Sequence, residues 1–263
     1  MSQAIVDLDR YPLLEPESEP GRALVKHCAT SLATTGACEL PGFVRADVLS
    51  AMVSECEAIL PDAHHSPGRT TPYLELPSDD WPADHPRKFW GPSITRVVAY
   101  DRIPRDCRLR RLYEWEPLMA FLAAVLGLGE LFRYADPLGA LNLVSMEDGD
   151  ALSWHFDQTD FVVSLALRSS TTGGDFVYVP SIRSADDEHY EDVAKVLGGD
   201  TTRCQKVPMQ PGTLLLFQGR YSIHRVTAVG GPTSRVVALL AYDRKPGTVS
   251  TELLKRARYG RAS

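Results

Sequence analysis

Apolar positions recur at helical spacing in the first half of the chain and at strand spacing in the second. Pro20 to Thr34 and Ala46 to Leu60 each carry a one-sided apolar stripe, which predicts two helices. Leu40-Pro41-Gly42-Phe43-Val44 between them reads as a short strand or turn. Asp47 stands where a helix N-terminus favours a negative charge. Glu114 to Leu128 predicts a third helix, ended by Gly127 and Gly129. From there the pattern changes. Leu131 to Tyr134, Ala140 to Met146, Phe161 to Leu167, Phe176 to Val179, Thr213 to Phe217, Ser222 to Val229 and Arg235 to Tyr242 read as strands rich in Val, Leu and aromatic residues. Asp186 to Leu197 interrupts them as a helical insertion, and a short helical tail follows the last strand. Helices first and strands afterwards predict a mainly β fold with flanking α, a β-sandwich or jelly roll buttressed by helices.

One segment obeys neither period. Pro61 to Pro92 holds Pro67, Pro72, Pro77, Pro82 and Pro86 together with Tyr73, Trp81 and Trp90. Proline at that density excludes a regular helix or a central strand. Two readings are open, a surface loop and a lid that faces a substrate. The expected organisation is one domain over residues 1–263. It has a helical and loop front at 1–130, a β core at 131–245 and a tail at 246–263.

Composition narrows the function classes. The 263 residues are 44% hydrophobic and 24% charged, an ordinary globular balance, and they suffice for one large core. A net charge of -6, with no basic run beyond the short patch Arg105 to Arg111, argues against nucleic acid as a partner. No apolar stretch is long enough to cross a bilayer, so no membrane role is expected. The N-terminus, Met-Ser-Gln-Ala-Ile-Val-Asp-Leu-Asp, lacks a signal-peptide pattern. Five scattered cysteines without a C-x-x-C spacing favour reduced thiols, and with them a cytoplasmic protein. The sequence is silent on oligomeric state.

The candidate chemistry lies ahead of the run Phe161 to Leu167. In His155-Phe156-Asp157 the imidazole and the carboxylate are two residues apart, and on an extended segment both point to one side. A third ligand is available at His224, inside a later strand. Two His and one carboxylate on one face leave positions open, which suits non-haem Fe(II) and oxygen chemistry. The pair alone is a weak signal. His189-Tyr190-Glu191 has the same spacing, but in a helical pattern where those side chains diverge. Strand context, the distal His224 and Arg235 at the start of the next strand raise His155 above it. Gly230-Gly231-Pro232 predicts a hairpin that brings Arg235 beside the metal.

These residues resemble the signature of the Fe(II)/2-oxoglutarate-dependent dioxygenases: His-x-Asp, a distal His and a following Arg. Trp154 to Leu165, Gly173-Gly174-Asp175-Phe176 and Gly219 to Val226 are similar to the bacterial group that includes free-lysine halogenases and related amino-acid hydroxylases. The resemblance spans roughly residues 140 to 245. It implies a double-stranded β-helix with Fe(II) held by His155, Asp157 and His224, and with 2-oxoglutarate and O2 as cosubstrates. Arg235 would pair with the far carboxylate of 2-oxoglutarate, and Thr233 or Ser234 would add a hydroxyl. Asn142 would contact the C1 end, with a structural amide as the other reading. In halogenating members Gly or Ala replaces the carboxylate ligand and opens a site for chloride. Asp157 therefore implies hydroxylation.

A small polar substrate, an amino acid above all, could meet Trp154, Gln158 and Asp160 around the motif. Arg96, an isolated charge within Ile94-Thr95-Arg96-Val97-Val98, would hold its carboxylate or else an internal salt bridge. Gly173-Gly174 reads as a turn. Desaturation, cyclisation and epimerisation fit the same iron site, and a non-catalytic ligand-binding β-helix protein is the alternative from another class.

Overall fold

The computed structural model describes residues 4–263. The helices are α1 (Glu19–Thr35), α2 (Ala46–Ile59), α3 (Arg108–Tyr113), α4 (Glu116–Val125), α5 (Tyr190–Leu197) and α6 (Glu252–Tyr259). The principal strands are β1 (Ala37–Leu40), β2 (His64–Ser66), β3 (Thr95–Val98), β4 (Leu141–Met146), β5 (Leu152–His155) and β6 (Val162–Arg168). They continue with β7 (Phe176–Val179), β8 (Gln205–Val207), β9 (Leu214–Phe217), β10 (Ile223–Val226) and β11 (Arg235–Leu240). A seven-stranded sheet runs β1-β9-β6-β11-β4-β3-β2, and a four-stranded sheet runs β8-β7-β10-β5. All of their pairings are antiparallel.

Strand alternation divides the large sheet into two faces. Opposed residues in an antiparallel pair share a face. Arg235 with Met146, Val237 with Val144 and Leu239 with Asn142 therefore form one row. Val236, Ala238 and Leu240 turn the other way and join Leu143, Leu165, Leu214 and Leu216 under α1 to α4. Each fully buried Val or Leu among them contributes roughly 1.5–3 kcal/mol. The Met146 end of the first row faces the small sheet, while Val144, Val237 and Leu239 pack against Val97 and Tyr259 of α6. Met146 packs with Val226, and Phe217 with Tyr178, across the gap between the sheets. This is the double-stranded β-helix that the family resemblance implied, and it meets the mainly β, helix-buttressed architecture that the element order predicted.

The predicted helices and strands recur with shifted ends. The helix expected over Glu114 to Leu128 is α4, and the basic patch before it starts a separate helix, α3. Strands β2, β3, β5 and β8 were not foreseen, because segments of three or four residues show too little alternation to register. The proline-rich segment is welded down rather than free. Phe156 donates its N–H to the Pro72 carbonyl at 2.7 Å, and Tyr73 packs on the Phe156 ring. Arg87 donates to the Tyr190 hydroxyl on α5 at 2.8 Å. No helix among the described residues is long and apolar enough to cross a membrane.

Candidate metal centre

His155 closes β5 and His224 lies in β10, directly opposite it. The pairing Leu152 with Val226 shows that β5 spends one residue more than β10 between the two pairs. A bulge of this kind re-aims side chains. Leu152 joins the interior beside Met146, while Trp154 turns outward into the apolar cluster under α5. The two imidazoles meet with ring centroids 4.2 Å apart. Phe217, from the large sheet, stands edge-on to His224 at 4.9 Å.

Asp157 completes the group. Its backbone N–H donates to the Gly219 carbonyl at 3.0 Å, which fixes the chain just past β5. Its Oδ2 lies 3.6 Å from His224 Nε2. One ligand atom from each of His155, Asp157 and His224 falls within 4.8 Å of the others. Gly219 is required for this approach, since a Cβ there would stand 1.6 Å from Asp157 Oδ2.

Three observations test whether a metal fits. Asp157 Oδ2 is buried and accepts no hydrogen bond, a costly state for a carboxylate oxygen unless a cation completes it. His155 Nδ1 lies 2.8 Å from the Ser153 carbonyl, and His224 Nδ1 lies 3.0 Å from the Ser222 carbonyl. A carbonyl only accepts, so in each neutral ring Nδ1 carries the proton and Nε2 keeps its lone pair. Burial, then the His224 charge, pulls the His155 pKa down to about 4 against the opposing pull of Asp157. That ring is neutral at neutral pH. Imidazole and carboxylate donors with open positions suit divalent iron.

Arg235 stands on the inward row of β11, opposite Met146, and is 7% exposed. No hydrogen bond or ion pair among the described residues engages its guanidinium. Burial pulls its pKa down to about 10 despite the favourable field of Asp175, and the Asp175 carboxylate is itself bound to Lys206 at 2.7 Å. Gly174 (φ +66°) gives the side chain room, because a Cβ there would lie 3.0 Å from Arg235 Cδ. The turn expected at Gly173-Gly174 is present, and it leaves room for the Arg235 side chain.

Other expected site residues sit elsewhere. Asn142 is fully used within the fold: Nδ2 donates to the Leu138 and Leu141 carbonyls at 2.9 and 3.0 Å, and Oδ1 accepts from the Tyr259 hydroxyl at 2.8 Å. The structural-amide reading holds and the contact to 2-oxoglutarate does not. Thr233 is exposed in the turn before β11, where its N–H reaches Thr171 Oγ1 at 3.3 Å, and Ser234 binds Arg168 instead of a cosubstrate. Arg96 pairs with Asp150 and with Glu147 at 3.0 Å, so it is not free for a substrate carboxylate. Trp154 lies beneath the Arg225 guanidinium, 4.6 Å from it, on the face away from His155. Gln158 is exposed, and Asp160 is bound by Arg220 at 2.6 Å and Arg244 at 3.4 Å. His189 meets Asp187 at 3.4 Å at the start of α5 and forms no chelate with Glu191. Unforeseen at the centre are the roles of Gly219 and the Phe217 ring. Both lay in stretches that the sequence had marked, Phe217 at the end of a strand and Gly219 at the head of the segment that carries His224.

The model of the Halogenase D (HalD) family matches residues 21–253. The chain belongs to the Halogenase D family. No curated protein matches this Halogenase D family member. Among solved structures it is similar to an oxidoreductase of the 2OG-Fe(II) oxygenase family from Burkholderia pseudomallei. The identity there is 16%, covering 85% of this chain and 92% of that one, with a TM-score of 0.56. It is similar also to AviO1 from Streptomyces viridochromogenes Tue57, at 15% identity, 86% and 96% coverage and a TM-score of 0.58. The α-ketoglutarate-dependent epimerase SnoN from nogalamycin biosynthesis gives 15%, 84% and 83%, and 0.57. At these identities the likeness establishes a shared fold. The fold of this Halogenase D family member is that of the 2OG-Fe(II) oxygenases.

Proposed function

We propose that the chain is an Fe(II)- and 2-oxoglutarate-dependent oxygenase that hydroxylates an unactivated C–H bond of a small polar metabolite, in the first place a free amino acid. Residues 1–263 are read as one oxygenase domain. The observation that carries the reading is the buried, unpartnered Oδ2 of Asp157 between two imidazoles with free Nε2 atoms. His155, Asp157 and His224 would hold the iron, and Arg235 would pair with the far carboxylate of 2-oxoglutarate. With O2, the bound iron and 2-oxoglutarate supply the oxidising power for C–H cleavage, at the expense of 2-oxoglutarate decarboxylation. The chain's own residues position and exclude. The Ser153 and Ser222 carbonyls fix both imidazole tautomers, Gly219 admits the carboxylate, and Phe176 and Phe217 keep water from the His224 ring.

The family's name favours a second reading, chlorination. Halide needs the coordination position that Asp157 fills, and a carboxylate there adds negative charge against an anion. The test is aerobic incubation with Fe(II), 2-oxoglutarate, chloride and a panel of amino acids, followed by mass analysis. Substrate-dependent succinate with a gain of one oxygen supports hydroxylation. A chlorine isotope pattern in the product overturns it, and loss of hydrogens without oxygen gain points to desaturation or cyclisation.

A further inference from the structure

The three residues of the metal centre are held in different ways. His155 and His224 stand on paired strands, and the ladder between β5 and β10 fixes their backbones. Asp157 lies beyond the last residue of β5, in the irregular segment 156–161. Its Oδ2 accepts no hydrogen bond, so no contact to that atom aims the carboxylate. The placement of Asp157 therefore rests on how the segment around it is anchored.

The anchors converge on the stretch 218–220. That stretch is itself fixed from behind. Gln218 donates its N–H to the Gly36 carbonyl at 2.8 Å, and Arg183 Nε donates to the Arg220 carbonyl at 2.7 Å. The Arg183 guanidinium also stands over the Phe156 ring, 3.9 Å from its centre. From this base the Arg220 side chain reaches across to the loop. Its Nε donates to Asp160 Oδ1 at 2.6 Å, and its Nη2 donates to the carbonyl of Gln158, the residue after Asp157. Arg244 Nε lies 3.4 Å from the other oxygen of Asp160. Together with the bond from Asp157 N–H to the Gly219 carbonyl, residues 157, 158 and 160 are all tied to 219–220. An exposed ion pair by itself contributes little to stability. A guanidinium fork that spans a carboxylate and a backbone carbonyl fixes the loop at two points at once.

We propose that Arg220 is a positioning residue for the metal centre. Its clasp on Gln158 and Asp160 holds Asp157 in place as the third ligand, and so keeps that coordination position from halide. This deepens the oxygenase reading above and rests on it. Arg220 acts here through Asp157 and touches neither metal nor substrate.

The full chain is titrated with Co(II), which stands in for Fe(II) and whose visible absorption responds to its ligands. The same titrations are made on Arg220→Met, Arg220→Lys, Asp157→Ala and the double variant Arg220→Met with Asp157→Ala. Each protein is then saturated with Co(II) and given sodium chloride. We expect the Co(II) dissociation constant to rise about 10-fold in Arg220→Met, the scale on which outer partners act. Arg220→Lys keeps one of the two contacts and should restore part of the affinity. In the Asp157→Ala background, Arg220→Met should change the affinity by less than about twofold, because the residue it positions is gone. Chloride should leave the wild-type spectrum unchanged and alter that of Arg220→Met. A purely structural role would weaken metal binding equally with and without Asp157 and would not open the centre to chloride. An Arg220→Met protein within about twofold of wild type in Co(II) affinity overturns the proposal. So does an equal loss in the two backgrounds, or a spectrum of Arg220→Met that ignores chloride; the chloride response decides alone if Asp157→Ala binds too little Co(II) to compare. A wild type that melts cooperatively yet binds no Co(II) refutes the metal-centre reading itself, and this inference with it.

Discussion

Replacing Arg235 with Met should stabilise the metal-free protein while nearly abolishing its response to 2-oxoglutarate. The side chain is 7% exposed, with no bonded partner, on the inward row of β11. Burial lowers its pKa from the ordinary guanidinium range to about 10, which corresponds to roughly 3 kcal/mol of cost for keeping the guanidinium charged. Methionine fills a similar volume without that cost, and such exchanges of buried charge are often stabilising. The bound state reverses the sign. Truncating one partner of a buried charge pair costs about 2–5 kcal/mol, so the dissociation constant for 2-oxoglutarate should rise at least about 30-fold. The assay is urea denaturation and thermal melting of both proteins, without ligand and across a 2-oxoglutarate titration in Mn(II). Wild type should be the less stable protein without ligand and the more stable one with saturating 2-oxoglutarate. An Arg235→Met variant that is destabilised without ligand, yet binds 2-oxoglutarate like wild type, would refute the idea that Arg235 is a cation held ready for this anion.

Four further outcomes follow from particular contacts. Asp157→Gly should weaken Mn(II) binding more than about 10-fold, since outer partners alone can reach that scale, and should end hydroxylation; calorimetry and product mass analysis read both. Asn142→Leu should lower the melting temperature and leave the 2-oxoglutarate dissociation constant unchanged within about twofold, because its amide serves Leu138, Leu141 and Tyr259. Tyr259→Phe should cost about 1–3 kcal/mol in urea denaturation, having left a buried amide oxygen without its donor. His155 has its pKa pulled from 6.5 to about 4, so the unfolded chain binds the proton first as pH falls. Its contribution to metal-free stability is whole above about pH 6.5 and is lost as pH drops through about 4; melting curves across that range, with His155→Gln as the control, should show the difference.

The grouping of His155, Asp157 and His224 and the place of Arg235 at the start of a strand were legible because strand periodicity carries them. Residues i and i+2 on an extended segment share a side. The row Arg235, Val237 and Leu239 is that rule applied to one strand. The remaining site residues depend on partners that no local pattern marks. Asn142 is satisfied by Tyr259, 117 residues away in the tail. Arg96 finds Asp150, 54 residues on, inside the turn that precedes β5. Trp154 stands next to His155 and so turns to the opposite face by alternation alone, whereas the extra residue in β5 brings Leu152 to the inner side with His155, which alternation would not assign.

Asp157, on the proposed reading, makes this member of the Halogenase D family an oxygen-transferring enzyme. The most direct measurement is the mass of the product formed from an accepted amino acid under 18O2, with Fe(II), 2-oxoglutarate and saturating chloride. A product heavier by one 18O atom, without chlorine, is the predicted result. A chlorinated product from the protein with Asp157 intact would contradict it.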